Sequence, residues 1–159
     1  MSSTNSTLAT KSLPERSEVA VEDCWDLSSL FASDADWEEA FSELESKIET
    51  YETFRGRLGE SASLLAEALN FDSDFDRLAE RLGTYAFLKT TEDQGDSDYQ
   101  AMKARFHNLA VRASHASSYM RPELLAIPEY RMSQLVQDEA VALYALQLER
   151  LLRYRPHTL

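Results

Sequence analysis

Large apolar side chains recur at helical spacing along most of this chain, with polar residues between them. Trp37, Phe41, Leu44, Ile48, Tyr51 and Leu58 follow one another at steps of 4, 3, 4, 3 and 7. Steps of three and four return to one side of an α-helix, so the run predicts a helix about six turns long with one buried face. Ser33 stands at its start as an N-cap, and Asp34, Asp36, Glu38 and Glu39 fill the positive end of the helix dipole. Gly56 and Gly59 bracket the predicted end. Leu64, Leu65, Ala68 and Leu69 then predict a short helix over 61–69. Asp72 or Ser73 reads as the cap of a further long helix, which carries Phe75, Leu78, Leu82 and Tyr85 at steps of 3, 4 and 3.

The polar run Glu92-Asp93-Gln94-Gly95 breaks that helix, and Ser97 with Gln100 three residues on reads as a capping box. Tyr99, Met102, Phe106, Leu109, Ala113 and Ala116 repeat at 3, 4, 3, 4 and 3. Pro122 predicts a stop near Tyr119 or Met120, because the residue before a proline avoids the helical region. Pro122 and Pro128 each suit the first turn of a short helix. A final helix is predicted from about Asp138 through Leu143, Leu148, Leu151 and Leu152 to Tyr154, ended by Arg155-Pro156. Strand-type alternation nowhere persists beyond a few residues. The expected fold class is all-α: a helical bundle of three to four long antiparallel helices with short connecting helices. In the last helix Leu143, Tyr144, Leu148, Leu151, Leu152 and Tyr154 spread over more than one face. That excess predicts apolar surface beyond what packing in the bundle needs.

Composition changes the picture mainly at the front. Residues 1–22 are rich in Ser and Thr and poor in large apolar side chains, so they bury too little to offset their ordering entropy. A disordered tail over 1–22 and a helical domain over 23–159 are expected. The chain carries 28 acidic and 16 basic residues, a net charge of −12, which disfavours nucleic acid as a partner. No apolar run approaches the ~20 residues needed to span a bilayer, and the first residues lack the apolar core of a signal peptide. No membrane partner and a cytoplasmic location are therefore expected.

Candidate chemistry is sparse. A zinc-peptidase helix needs two histidines four apart with a Glu between them. His107 and His115 are eight apart with no Glu between, and His157 lies near the end. Cys24, the single cysteine, has no Lys, Arg or His next to it in the sequence and reads as a packing residue. The four glycines, at 56, 59, 83 and 95, cannot form a phosphate loop. The carboxylate groups Glu38/Glu39, Asp72/Asp74/Asp76 and Asp96/Asp98 each stand where a predicted helix begins, and the dipole accounts for them. No catalytic, cofactor-binding or metal-binding residue is assigned within the chain.

Three segments carry a resemblance. Trp25-Asp26-Leu27-Ser28-Ser29-Leu30-Phe31, followed by Trp37, resembles the entry motif of oligoendopeptidase F-like proteins. Thr90-Thr91-Glu92-Asp93-Gln94-Gly95-Asp96-Ser97-Asp98-Tyr99-Gln100-Ala101 is similar to that family's acidic helix–helix turn. The closing Leu148-Glu149-Arg150-Leu151-Leu152-Arg153-Tyr154-Arg155-Pro156-His157-Thr158-Leu159 resembles the end of its N-terminal helical region. Arg121-Pro122-Glu123-Leu124-Leu125 and Ile127-Pro128 also fit. The resemblance spans nearly all of 25–159, in order. It implies the non-catalytic N-terminal lobe of a zinc metallopeptidase of the thimet oligopeptidase superfamily, acting on short peptides. It further implies that Zn2+ is bound downstream of Leu159, that the partner is the enzyme's own catalytic domain, and that this chain alone is inactive. The lobe would pack on that domain and help wall a substrate channel. The alternative is a stand-alone acidic helical module for protein or peptide interaction, without enzymatic activity.

Overall fold

The first long helix, α1, spans Asp34–Lys47, and its start is fixed by Ser33, whose Oγ accepts the Asp36 amide at 3.2 Å. Trp37, Phe41 and Leu44 are buried on the predicted face. The computed structural model describes Pro14 and Arg16–His157. Past Lys47 the backbone departs from the predicted six-turn α-helix and tightens to a 3-10 helix over Ile48–Thr53. Side chains three apart eclipse one another in that geometry, so Ile48, Tyr51 and Phe54 all point inward, and all three are buried. Gly56 then turns the chain at φ +77°, in the left-handed region where a Cβ is costly.

Helix α2 runs unbroken from Ala62 to Glu92, 31 residues, with the Ser61 hydroxyl accepting the Leu64 amide at 3.1 Å. The predicted break and cap at Asp72 or Ser73 do not form. No glycine or proline lies between Ser61 and Leu82 to stop the helix. Asp72, one of the two residues that suggested a cap, is engaged from outside instead: the Tyr51 hydroxyl donates to its Oδ1 at 2.9 Å, and two residues earlier the Tyr144 hydroxyl donates to Asn70 Oδ1. Helix α3 covers Ser97–Ser117. Its cap is Asp96 rather than Ser97, with Oδ1 accepting the Asp98 amide at 2.8 Å and the Tyr99 amide at 3.2 Å. Gln100 reaches back to the Gln94 carbonyl at 3.1 Å, so the expected capping box is replaced by one residue's shift in register.

Two short helices follow: α4, Met120–Ala126, with Pro122 in its first turn, and α5, Glu129–Leu135, entered through Pro128. The predicted last long helix is a 3-10 segment, Glu139–Tyr144, continued by α6, Ala145–Arg153. Asp138 caps the 3-10 segment through the Ala140 amide at 2.9 Å. The long helices are thus α1, α2 and α3, and the described residues contain no strand. The all-α expectation holds.

Helix α2 is the common partner of α1, α3 and the Glu139–Tyr144 segment. Across the α1–α2 contact the fully buried Trp37 donates Nε1–H to the Leu82 carbonyl at 3.0 Å. A buried indole N–H without an acceptor costs about 1–3 kcal/mol, so this bond fixes how α1 sits on α2. The expectation of disorder over 1–22 falls mostly outside the described residues. Within them, Arg16–Glu18 and Val21–Asp23 form single 3-10 turns, and the Arg16 guanidinium lies 3.0 Å from Glu92 Oε1 at the end of α2.

Candidate functional site

Helix α6 and the residues that flank it divide their apolar side chains between two jobs. Leu148 is fully buried and, with Tyr144, packs into the core. Leu143, Leu146 and Tyr154 point outward and are 83%, 56% and 57% exposed. Leu151 and Leu152 are half-buried at the flanks. Of the residues expected to overspill the bundle, Leu143 and Tyr154 are exposed and Tyr144 and Leu148 are buried; Leu146 joins the exposed set, hereafter the crest.

Beside the crest lies an open cleft of about 450 Å³ between the middle of α2 and the α4–α6 layer. Leu69, Met120, Leu124 and Leu151 contribute its apolar lining. Asp72 and Asp76, one turn apart on α2, stand on one side, and Arg121 and Arg150 belong to the other. Asp72 accepts the Tyr51 hydroxyl, and burial with that neighbouring charge pushes the Tyr51 phenol well above its usual range. Partial burial, then the carboxylates of Asp72 and Glu80, raise the Asp76 pKa above the usual aspartate value. Neither Asp76 nor either arginine is in an ion pair among the described residues; Arg121 sits over the Tyr154 ring at 5.6 Å instead. Elsewhere on the surface arginines find carboxylates: Arg105 takes Glu38 through two 2.7 Å bonds, and Arg112 takes Glu45, both tying α3 to α1.

The residues weighed for chemistry end up apart. His107 and His115 are exposed on α3, and the side chain of His157 lies outside the described residues. Among the described residues no group of three or more His, Cys, Asp and Glu side chains is placed to hold a metal ion. Glu38 is taken up by Arg105, Asp74 by Arg77 at 3.0 Å, and Asp96 by its cap. Cys24 requires a correction: a cation does stand beside it. The fold brings Arg16, eight residues away, to 2.7 Å from Sγ, while the thiol donates to the Ala20 carbonyl at 3.2 Å.

One polar device had no sequence signal at all. Glu123 on α4 accepts the Gly56 amide through Oε2 and the Leu58 amide through Oε1, each at 2.8 Å, and so clamps the loop before α2. Arg131 on α5 adds a bond from Nε to the Gly59 carbonyl at 2.9 Å. Together they hold the short helices, and hence the cleft's basic side, against the rest of the fold. No helix among the described residues is long and apolar enough to cross a membrane.

Known proteins match both this sequence and this fold. A family model described as Oligopeptidase F matches residues 123–159, the stretch from within α4 through α6. Oligopeptidase PepF of Bacillus subtilis is 37% identical over 151 residues, covering 92% of this chain and 22% of that protein. Group B oligopeptidase PepB of Streptococcus agalactiae is 30% identical over 145 residues, covering 91% of this chain and 24% of that protein. The chain thus spans less than a quarter of the curated relatives it matches most strongly. Among solved structures, oligoendopeptidase-F from Enterococcus faecium superposes with a TM-score of 0.71 at 30% identity, over 80% of this chain and 25% of that one. A crystal structure from Chlamydophila abortus gives 0.82 over 90% of this chain at 23% identity, a likeness of fold. In sequence and in fold, the chain corresponds to the N-terminal helical region of oligoendopeptidase F-like proteins.

Proposed function

We propose that this chain works as the non-catalytic helical lobe of a zinc metallo-oligopeptidase that hydrolyses short peptides. In this reading the lobe packs on a catalytic domain and helps to wall a channel that admits extended peptides and excludes folded proteins. The observation that carries it is the match to oligopeptidase PepF over 92% of the chain. The zinc belongs to the catalytic domain, where it would supply Lewis-acid activation of water. The chain's own part is geometric. Its long helices give a stiff wall, and its surface charge of −12 keeps it from anionic ligands.

Two measurements test the proposal together. The purified chain, assayed with a quenched fluorescent peptide and by metal analysis, should hold no stoichiometric zinc and turn over no substrate. The same chain, grafted in place of the matching segment of the Bacillus subtilis enzyme, should leave peptide hydrolysis intact. Intrinsic turnover by the isolated chain, or a folded graft that hydrolyses nothing, would sink the reading.

A further inference from the structure

The crest and the cleft meet at Tyr154, which is exposed with the one and lines the other, and Gln147 and Arg150 of the cleft follow Leu146 on the same helix. Leu143, Leu146 and Tyr154 expose apolar surface that water solvates poorly, and they lie within twelve residues of one another. Next to them the cleft presents opposite charges on opposite sides, Asp76 against Arg121 and Arg150, with no ion pair at any of the three among the described residues. An apolar centre with unneutralised charges around it is the composition of a protein interface before its partner arrives. Two observations identify the partner. The Oligopeptidase F family model matches 123–159, the segment that carries the crest and Arg150 of the cleft, and this chain matches less than a quarter of each of the two curated relatives.

We infer that the α6 crest and its cleft are the docking surface for the catalytic part of an oligopeptidase, and that the docked surface is apolar, with a carboxylate opposite Arg121 and Arg150 and a cation opposite Asp76. The inference rests on the lobe reading above and adds the face and the chemistry of contact. Leu146 fills the centre of the interface, and Tyr154 closes one end with Arg121 stacked on its ring. The charges at the cleft set register, because a like charge placed opposite either side is repelled while the apolar crest alone would tolerate sliding. Other exposed apolar residues do not share this arrangement. Phe87 of α2 is also exposed, but it has the Lys103 ammonium 5.4 Å from its ring and no acidic residue in the pocket beside it.

The test compares the same substitutions in two settings. In the isolated chain, Leu146→Asp, Leu143→Asp and Arg150→Glu remove nothing that the fold uses, so the thermal midpoint should stay within a degree or so of the parent. In the graft with the Bacillus subtilis enzyme, each should lower the midpoint by several degrees or cut peptide hydrolysis at least severalfold. A graft that is active and equally stable with all three substitutions overturns the inference while the lobe reading stands. An inactive graft with the native crest overturns the lobe reading, and the inference falls with it. A loss of stability in the isolated chain shows that the crest is already satisfied internally, which also overturns the inference. The inference fails equally if the isolated chain sediments as a dimer that Leu146→Asp dissociates, since the face then serves a second copy.

Discussion

Gly83 of α2 lies directly under the ring of Phe106 on α3: a Cβ built on the glycine falls 2.6 Å from Phe106 Cε1 and 2.8 Å from Cζ. The absent side chain is what lets the ring settle against α2, the pair of helices with the most extensive mutual contact in the fold. A glycine inside a helix costs about 1 kcal/mol relative to alanine, so this position trades helix propensity for close approach.

That trade makes a prediction with a change of sign. Gly83→Ala should destabilise the chain by about 1 kcal/mol net, since an overlap of this kind typically costs ~1–3 kcal/mol and outweighs the propensity gain. With Phe106→Ala already in place the overlap is gone, and the same substitution should stabilise by up to about 1 kcal/mol. Denaturant unfolding of the four proteins in the cycle measures both values. Equal effects in the two backgrounds would mean that the ring moves aside freely.

Glu123 offers a second prediction. One carboxylate takes two loop amides, Gly56 and Leu58, so Glu123→Ala should cost about 2–3 kcal/mol, the range for hydrogen bonds to a charged group. Glu123→Gln keeps one acceptor oxygen and should cost less than half as much. Urea midpoints of the two variants decide it; identical losses would show that the clamp depends on charge and not on the two acceptors.

The front segment is held by Glu92, whose Oε1 accepts from Arg16 Nη2 at 3.0 Å and from the Trp25 amide at 3.3 Å. Glu92→Gln should loosen this segment without unfolding the body. Trp25 is 55% exposed and Trp37 fully buried, so iodide quenching reports almost entirely on Trp25. Its quenching should rise in the variant while the thermal midpoint changes by a few degrees at most. Unchanged quenching would place the anchor elsewhere.

Asp76 predicts a pH effect. Its pKa in the folded chain is raised by partial burial and by Asp72 and Glu80, so the folded state holds its proton more tightly than the unfolded state does. Stability from this group is therefore present below the unfolded value, about 4, and is lost as pH rises through the folded one. Asp76→Asn should raise the thermal midpoint at pH 7, and the gain should vanish near pH 3. A variant that is less stable at pH 7 would show that Asp76 has a partner worth keeping.

The buried face of α1 was legible because periodicity is a local property: Trp37 through Leu58 are six large apolar residues, and every one is buried. The exposure of Leu143 and Tyr154 around the last helix was legible in the same way, and that of Leu146 was not. What the sequence concealed depends on partners that only the fold brings close. Asp72 looked like a helix cap because nothing near it in sequence announces Tyr51, 21 residues earlier, as its donor. The 3-10 turn at Ile48 was hidden because a period of three and a period of 3.6 agree over so few residues. The cleft was hidden because Asp76, Arg121 and Arg150 sit on separate helices with no shared motif.

The unbroken course of α2 has a mechanical consequence. Asp76 and Glu92 belong to one rod, about 24 Å apart along its axis and about 160° apart around it at 1.5 Å and 100° per residue. The front segment and the cleft therefore grip nearly opposite sides of a single shaft. A twist applied where a partner presses on Asp76 swings Glu92 the other way, and the indole of Trp25, hung from that carboxylate, is the natural needle for reading it.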